Sequence, residues 1–149
     1  AQAYVAERSE NLTLSDLIGR SLSGFGTYNQ VLVEDNLWKM QSEVILDLAK
    51  KDTCIIVGRC ADYILKDKAN CLKVFIYASL EERINRIVSV YGESDVAPEK
   101  RLKGKDKHRS LFYNYFTDMK WGDPHNYDIC LNSGILGFEK CVDIISSLY

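Results

Sequence analysis

The chain has 149 residues, the size of one typical domain and too short for two independent cores of ordinary size. Apolar residues make up 46% and charged residues 27%, a balance that excludes a disordered or fibrous protein. The formal net charge of -2 excludes a surface suited as a whole to nucleic acid or an anionic membrane, so any basic site must be local.

The five cysteines are odd in number, and no two are spaced as Cys-x-x-Cys, so neither a disulfide framework nor a structural zinc site is indicated. We expect reduced thiols and no bound metal. No basic-then-apolar signal segment opens the sequence, and no apolar run approaches the roughly 18 residues of a membrane span. These features predict a cytoplasmic protein with no membrane partner.

The opening residues, Ala-Gln-Ala-Tyr-Val-Ala-Glu-Arg, have the pattern of a helix interior, so we expect further sequence before them. A helix-like pattern over residues 12–26 ends in a glycine-rich connection without lysine. Residues 34–50 form an amphipathic pattern whose apolar positions, Leu37, Met40 and Val44 among them, predict one buried helix face.

Three apolar runs, at residues 53–58, 72–78 and 127–131, predict strands. The first is rich in β-branched residues and predicts a strand covered on both faces. Helices are predicted between and after the strands, at residues 61–65, 79–91, 98–116 and 136–148. The helix after the second strand begins with a capping box, Ser79 to Glu82, and ends at Gly92. The alternation predicts an α/β fold with a parallel sheet flanked by helices.

Arg59 follows the first of these strands, directly after a glycine. Ligands of parallel sheets bind at the carboxyl ends of the strands, so a guanidinium here is placed to bind a phosphate with two hydrogen bonds. Asp62 lies one short turn later, and an Arg59–Asp62 ion pair that only caps the helix is an equally good interpretation.

A basic run, Glu99-Lys-Arg-Leu-Lys-Gly-Lys-Asp-Lys-His-Arg109, places six cations beside two carboxylates. Helical spacing puts Lys103, Asp106 and Lys107 on one face, where Asp106 would orient the lysines. A charged run is ordinarily a solvated helix face. Here the aromatic residues 112–116 follow it and can anchor one end while the basic end moves, which favours a lid.

Two further pairs of residues are weaker candidates for ligand binding. Arg83 and Arg86 lie one turn apart on a helix, where exposed ion pairing is the simpler interpretation of both. Asn132 and Ser133 follow the third predicted strand, at the edge of the sheet where small polar groups could meet a base or ribose.

Four segments, taken in order, resemble cytidylate kinases and especially the cytidylate-kinase-like family. They are Ile-Ile-Val-Gly-Arg59, Val-Phe-Ile-Tyr-Ala-Ser-Leu-Glu-Glu-Arg-Ile-Asn-Arg86, Lys-Asp106-Lys-His-Arg109 and Tyr-Asp-Ile-Cys-Leu-Asn132-Ser. The resemblance runs from about residue 34 to the end, and its last segment is the most specific. It implies a P-loop nucleoside monophosphate kinase fold in a single domain over 1–149, with a basic helical lid at about 93–120.

The resemblance also implies an activity, the transfer of the γ-phosphoryl of ATP, with Mg²⁺, to CMP or a related small phosphate acceptor. Arg59 and Asp62 would bind the acceptor. The lid residues that stabilise the transferring group would be Lys103, Asp106, Lys107 and Arg109. The donor nucleotide would meet Arg86, Asn132 and Ser133. A homo-oligomer is compatible with the sequence.

The sequence departs from the family pattern at three places. The family's Gly-Arg-Asp is Gly58-Arg59-Cys60 here, and its lid arginine, four residues before Asp106, is Leu102. No Gly-x-x-x-x-Gly-Lys-Ser/Thr occurs in the 149 residues. We therefore expect that the first strand, P-loop and first helix are missing and that the chain alone is inactive.

Two other functions stay open. One is a noncatalytic module on the same fold that binds a nucleotide or a phosphate ligand. The other, ranked last, is a single-stranded nucleic-acid site in which Tyr113 and Tyr115 stack on bases beside the basic run.

Overall fold

The computed structural model describes residues 2–5, 27–68, 70–92 and 94–148, with side chains from residue 35 onward. The chain divides into two compact units, residues 1–69 and 70–149. Among the described residues, each unit contains a two-stranded parallel sheet accompanied by helices, so the predicted α/β class with parallel strands is confirmed. The helix predicted within 12–26 lies outside the described residues.

The first unit contains strand β1 (Gln2–Val5), helix α1 (Thr27–Lys51), strand β2 (Cys54–Val57) and the short helix α2 (Ala61–Ile64). β1 pairs with β2 in parallel along its whole length. The helix-like interpretation of the opening residues is therefore wrong. Pairing with a neighbouring strand outweighs the weak local preference of so short a segment.

Helix α1 covers the predicted amphipathic segment and begins earlier than expected, at Thr27. Its predicted buried face is wrong in detail. Met40 and Val44 are 64% and 58% exposed, whereas their neighbour Ile45 is only 5% exposed. The helix is buried on the side that carries Ile45, and its residues Leu37, Met40, Val44, Ile45 and Leu48 line a cleft.

Strand β2 is not covered on both faces by the described residues. Ile55 and Val57 are more than half exposed, while Cys54 and Ile56 on the opposite face are half-buried. The strand therefore has the alternation of a sheet packed on one side. The β-branched composition predicted the strand correctly but not its surroundings.

The second unit begins with strand β3 (Val74–Tyr77), helix α3 (Leu80–Tyr91) and helix α4 (Pro98–Thr117). The capping box before α3 is confirmed: Ser79 Oγ accepts from the Glu82 amide at 3.2 Å, and Glu82 Oε2 accepts from the Ser79 amide at 3.0 Å. These two bonds satisfy amides that the helix itself leaves unpaired. As predicted, α3 ends at Gly92, whose φ is 73°.

The chain returns through a 3₁₀ turn (Pro124–Asn126) to strand β4 (Ile129–Asn132), then helices α5 (Ser133–Leu136) and α6 (Phe138–Leu148). The closing helix predicted at 136–148 corresponds to α6, which begins two residues later than expected, and the short helix α5 before it was not predicted. Gly137, with a φ of 76°, separates them. No described helix is long and apolar enough to cross a membrane.

Strands β3 and β4 pair in parallel, so Tyr77 and Asn132 lie side by side at the carboxyl ends of the strands. Phe75 packs on Trp121 and Tyr127, with ring centroids 5.6 and 4.8 Å away. Gly122 lies beneath the Phe75 ring, and a Cβ there would lie 3.1 Å from it. A left-handed glycine therefore brings the aromatic turn against the sheet.

Replacing this glycine tests the packing. We expect Gly122→Ala to lower the free energy of unfolding by about 1–2 kcal/mol, because its φ of 76° is unfavourable for alanine and the added methyl meets Phe75. Urea denaturation followed by circular dichroism measures the change.

Gly104→Ala is the matched control. Gly104 lies inside α4 with nothing within 4 Å of the added Cβ, so alanine should stabilise the chain by about 0.5–1 kcal/mol. Equal effects of the two substitutions would contradict the described packing of the turn.

Candidate functional site

The end of β2 has an unusual backbone. Gly58, Arg59 and Cys60 all have positive φ angles, of 73°, 56° and 52°. Two consecutive non-glycine residues in this region are unfavourable and occur where surrounding contacts enforce them. One such contact comes from α1, where Gln41 Nε2 donates to the Arg59 carbonyl at 3.5 Å. The turn ends where the Ala61 amide bonds to the Gly58 carbonyl and α2 begins.

Arg59 is one of the residues that line a cleft of about 280 Å³. The remaining lining residues come from α1 and β2 and are Leu37, Met40, Gln41, Val44, Ile45, Leu48 and Ile56. Apart from Gln41 and Arg59, all the lining residues are apolar, so the cleft suits the apolar part of a ligand. Asp62, on α2, is half-buried.

Cys60 lies between Arg59 and Asp62 and is 4% exposed. Burial raises the pKa of its thiol to about 12; the negative charge of Asp62 adds to the effect and the positive charge of Arg59 opposes it. The thiol is therefore protonated at neutral pH and is a poor nucleophile. Cys60 fills the turn, and its chemistry is not that of a catalytic cysteine.

The second cluster is built on α3 and α4, two helices joined by the short segment 92–97. Arg83 Nη1 and Nη2 donate to the two carboxylate oxygens of Asp106 at 2.7 and 2.8 Å. Ile87, one turn after Arg83, and Leu102, one turn before Asp106, are both 7% exposed. The ion pair and these buried apolar residues link the two helices.

Asp106 also accepts from Arg109 Nη1, at 3.5 Å from Oδ1. One carboxylate thus meets two guanidinium groups. The prediction that Asp106 orients Lys103 is wrong, because Lys103 pairs with Glu99 one turn earlier. Lys107, the residue after Asp106, is exposed. The bidentate bond to Asp106 raises the pKa of Arg83, so this arginine stays charged.

The basic end of α4 contacts α3 through Asp106, and the movement predicted for this end stays a prediction. Leu102 and Tyr113 are both buried, one near each end of the helix. The exposed ion pairing expected for Arg83 is also wrong in detail, since its side chain is only 29% exposed and reaches a different helix. The Arg109 side chain is 44% exposed.

Of the predicted donor-side residues, Asn132 ends β4 and Ser133 follows it, whereas Arg86 lies on α3. The Arg86 guanidinium carbon is 4.1 Å from the centroid of the Phe138 ring, a cation–π contact. Asn132 Oδ1 accepts from the amides of Gly134 and Ile135 and so caps α5. Ser133 Oγ donates to the Tyr77 carbonyl at 3.1 Å. Each of the three therefore has a structural contact in addition to its predicted role.

The structure thus brings together Asp106 and Arg109 from the predicted lid, and Asn132 and Ser133 from the predicted donor side. Arg59 and Asp62 lie together in the first unit. Sequence reasoning missed Arg83 as the partner of Asp106 and Phe138 as the partner of Arg86. The position of Arg83 one turn before the apolar Ile87 was the available signal that it faces a neighbouring element.

The chain was then compared with known proteins. The model of the cytidylate kinase-like family matches residues 2–135, most of the chain. A crystal structure of an uncharacterized protein from Eubacterium ventriosum is similar in fold, with a TM-score of 0.75 over 98% of this chain and 82% of that one. Because the two are 24% identical, this likeness concerns the fold alone.

A curated relative is a uronate isomerase from Corynebacterium glutamicum, 27% identical over 105 residues. The match covers 70% of this chain but only 20% of that protein. The chain therefore spans about a fifth of the length of this relative.

The buried turn can be tested by alkylation. With a pKa of about 12, the Cys60 thiol is ionised in roughly one molecule in ten thousand at pH 8, and it is also shielded from reagent. We expect iodoacetamide to modify Cys60 at least about a hundredfold more slowly than the half-buried Cys54, as measured by mass spectrometry. Both should react alike in urea. Equal rates in the folded chain would contradict the described turn.

Proposed function

Because the chain belongs to the cytidylate kinase-like family, we propose that it serves as a nucleotide kinase-like phosphotransferase, moving the γ-phosphoryl of ATP to CMP or a related small phosphate acceptor. The observation that carries this proposal is the arrangement at Asp106, where two guanidinium groups converge on α4 of a chain that is negative overall. Cations held in place are what phosphoryl transfer requires, since its transition state spreads negative charge over the transferred group.

In the proposed reaction, Arg109 would bind the transferring phosphate with its partly exposed guanidinium. Lys107 is exposed on the same helix and would add a second positive charge. Lys103 would take part after leaving Glu99, an exposed ion pair of the kind that is easily exchanged. Asp106 would keep Arg109 in place. Together these residues form a basic lid on α4.

The acceptor would bind at the end of β2. Arg59 would hold its phosphate, and the apolar cleft beside Arg59 would receive its base or sugar. Asp62, half-buried on α2, would accept a hydrogen bond from the acceptor. Cys60 stands where the related kinases have an aspartate, and its protonated thiol cannot supply that carboxylate. The acceptor preference therefore depends on Asp62.

The donor nucleotide would meet Arg86, Asn132 and Ser133. A guanidinium that already stacks on the Phe138 ring presents a flat cationic surface, and an adenine ring can stack on such a surface. Asn132 and Ser133 lie at the carboxyl ends of the paired strands, where nucleotides bind in α/β folds.

Magnesium would reach the site with the nucleotide. The described residues contain no group of three His, Cys, Asp or Glu side chains that could hold a metal ion. This fits Mg²⁺ bound chiefly by phosphate oxygens and water, as is usual for this ion. When bound, it would neutralise phosphate charge and complement the cations of α4.

A noncatalytic nucleotide or phosphate-binding module is the second candidate. It is favoured by one sequence feature, the lack of a Gly-x-x-x-x-Gly-Lys-Ser/Thr motif in the 149 residues. The nucleic-acid function is weakened because Tyr113 is 4% exposed and cannot stack on a base. Tyr115, at 54%, is the single exposed member of that pair.

A coupled phosphoryl-transfer assay with ATP, Mg²⁺ and a panel of nucleoside monophosphates tests the proposal, on this chain and on the complete product of its gene. We expect turnover of one acceptor by the complete product and none by the chain alone. Arg59→Ala and Arg109→Ala should each lower kcat/KM by about a hundredfold to a thousandfold, because each removes a cation that binds phosphate.

Lys140→Ala is the control, since it removes an exposed positive charge from α6, away from these residues in sequence. It should leave kcat/KM within about twofold, as surface substitutions do. A folded protein that binds nucleotides saturably without turning any over would favour the binding module. A folded protein that neither binds nor turns over any nucleotide would contradict both candidate functions.

A further inference from the structure

Arg83 makes the most constrained polar contact described in the second unit. Both of its terminal nitrogens donate to Asp106, at 2.7 and 2.8 Å, in a planar fork-to-fork arrangement. The two side chains are 29% and 28% exposed. Such a bidentate pair fixes not only the distance but also the plane of the carboxylate, which a single lysine contact cannot do.

The same carboxylate also contacts Arg109. Arg109 Nη1 is 3.5 Å from Asp106 Oδ1, the same oxygen that accepts from Arg83 Nη2. Arg83 belongs to α3 and Arg109 to α4. A contact from a second helix therefore orients the group that holds the exposed arginine of the lid.

We infer that Arg83 is a positioning residue, which holds Asp106 and through it aims Arg109 at the phosphate of a bound ligand. The last part rests on the proposed function, in which Arg109 binds phosphate. The first part, that Arg83 limits the mobility and sets the position of the Arg109 side chain, rests only on the contacts through Asp106.

The substitution Asp106→Asn distinguishes two possible roles of this carboxylate, because they predict opposite changes in phosphate binding. If Asp106 merely occupied an anion site between two arginines, then Asp106→Asn would free that site and strengthen the binding of inorganic tripolyphosphate. If Asp106 positions Arg109, the same substitution weakens binding. The sign of the change separates the two.

The experiment compares Arg83→Met, Arg83→Lys and Asp106→Asn with Lys140→Met as a control that removes one exposed charge. In the complete gene product we expect Arg83→Met and Asp106→Asn to lower kcat about tenfold to a hundredfold, with KM for the acceptor within about twofold. Their double variant should be no worse than either, because both remove one interaction. Lys140→Met should change neither constant.

Arg83→Lys separates positioning from a merely structural role. Lysine keeps the charge and can retain thermal stability, but it lacks the fork. We expect a melting temperature near that of the wild type with kcat still lowered about tenfold. Full recovery of kcat in Arg83→Lys, or a loss in Arg83→Met that only follows the folded fraction, would overturn the inference.

A readout independent of turnover is the ¹⁵Nε–¹Hε NMR signal of Arg109 in this chain. Arg83→Met should increase the mobility of the Arg109 side chain, and Lys140→Met should leave it unchanged. If the complete product neither binds tripolyphosphate nor turns over, the proposed function fails while this signal still decides the positioning. An Arg109 signal unaffected by Arg83→Met would overturn it.

Discussion

The Arg83–Asp106 ion pair sets which face of α3 meets which face of α4, and the arrangement of the second cluster depends on it. Buried apolar residues such as Ile87 and Leu102 draw the helices together, but they tolerate sliding and rotation. A planar two-bond contact tolerates little of either. A partly exposed pair contributes only about 1 kcal/mol to stability, so its larger effect is on geometry.

This ion pair also determines the surroundings of the cations on α4. The cations of α4 are not a uniformly solvated face, since a carboxylate held from α3 lies among them and contacts Arg109. The first unit uses a different device, a left-handed turn at Arg59 and Cys60 supported from α1. In the second unit the contact reaches the Arg109 side chain, and in the first it reaches the backbone of Arg59. Fixed cations suit phosphate, because no reorganisation is needed when charge develops.

Local signals predicted the local structure. Both ends of α3 were predicted correctly from Ser79, Glu82 and Gly92, and the strands β2 and β3 were predicted from their β-branched runs. The Arg83–Asp106 contact was beyond such reasoning, because the two residues are 23 apart and periodicity does not say which helix faces meet. The exposure of Met40 and Val44 was missed for a related reason. Apolar residues at helical spacing indicate a helix face that can be buried, but whether that face is buried depends on a neighbouring element that packs on it.

Phosphate binding by the arginine side chains is tested by an NMR titration of the complete gene product with MgATP and a nucleoside monophosphate. We expect saturable shifts of the ¹⁵Nε signals of Arg59, Arg86 and Arg109, because phosphate and base would contact these guanidinium groups. Sodium chloride at equal ionic strength should not reproduce them. Signals that stay in place at saturating nucleotide, or that move equally with salt, would contradict phosphate handling by these residues.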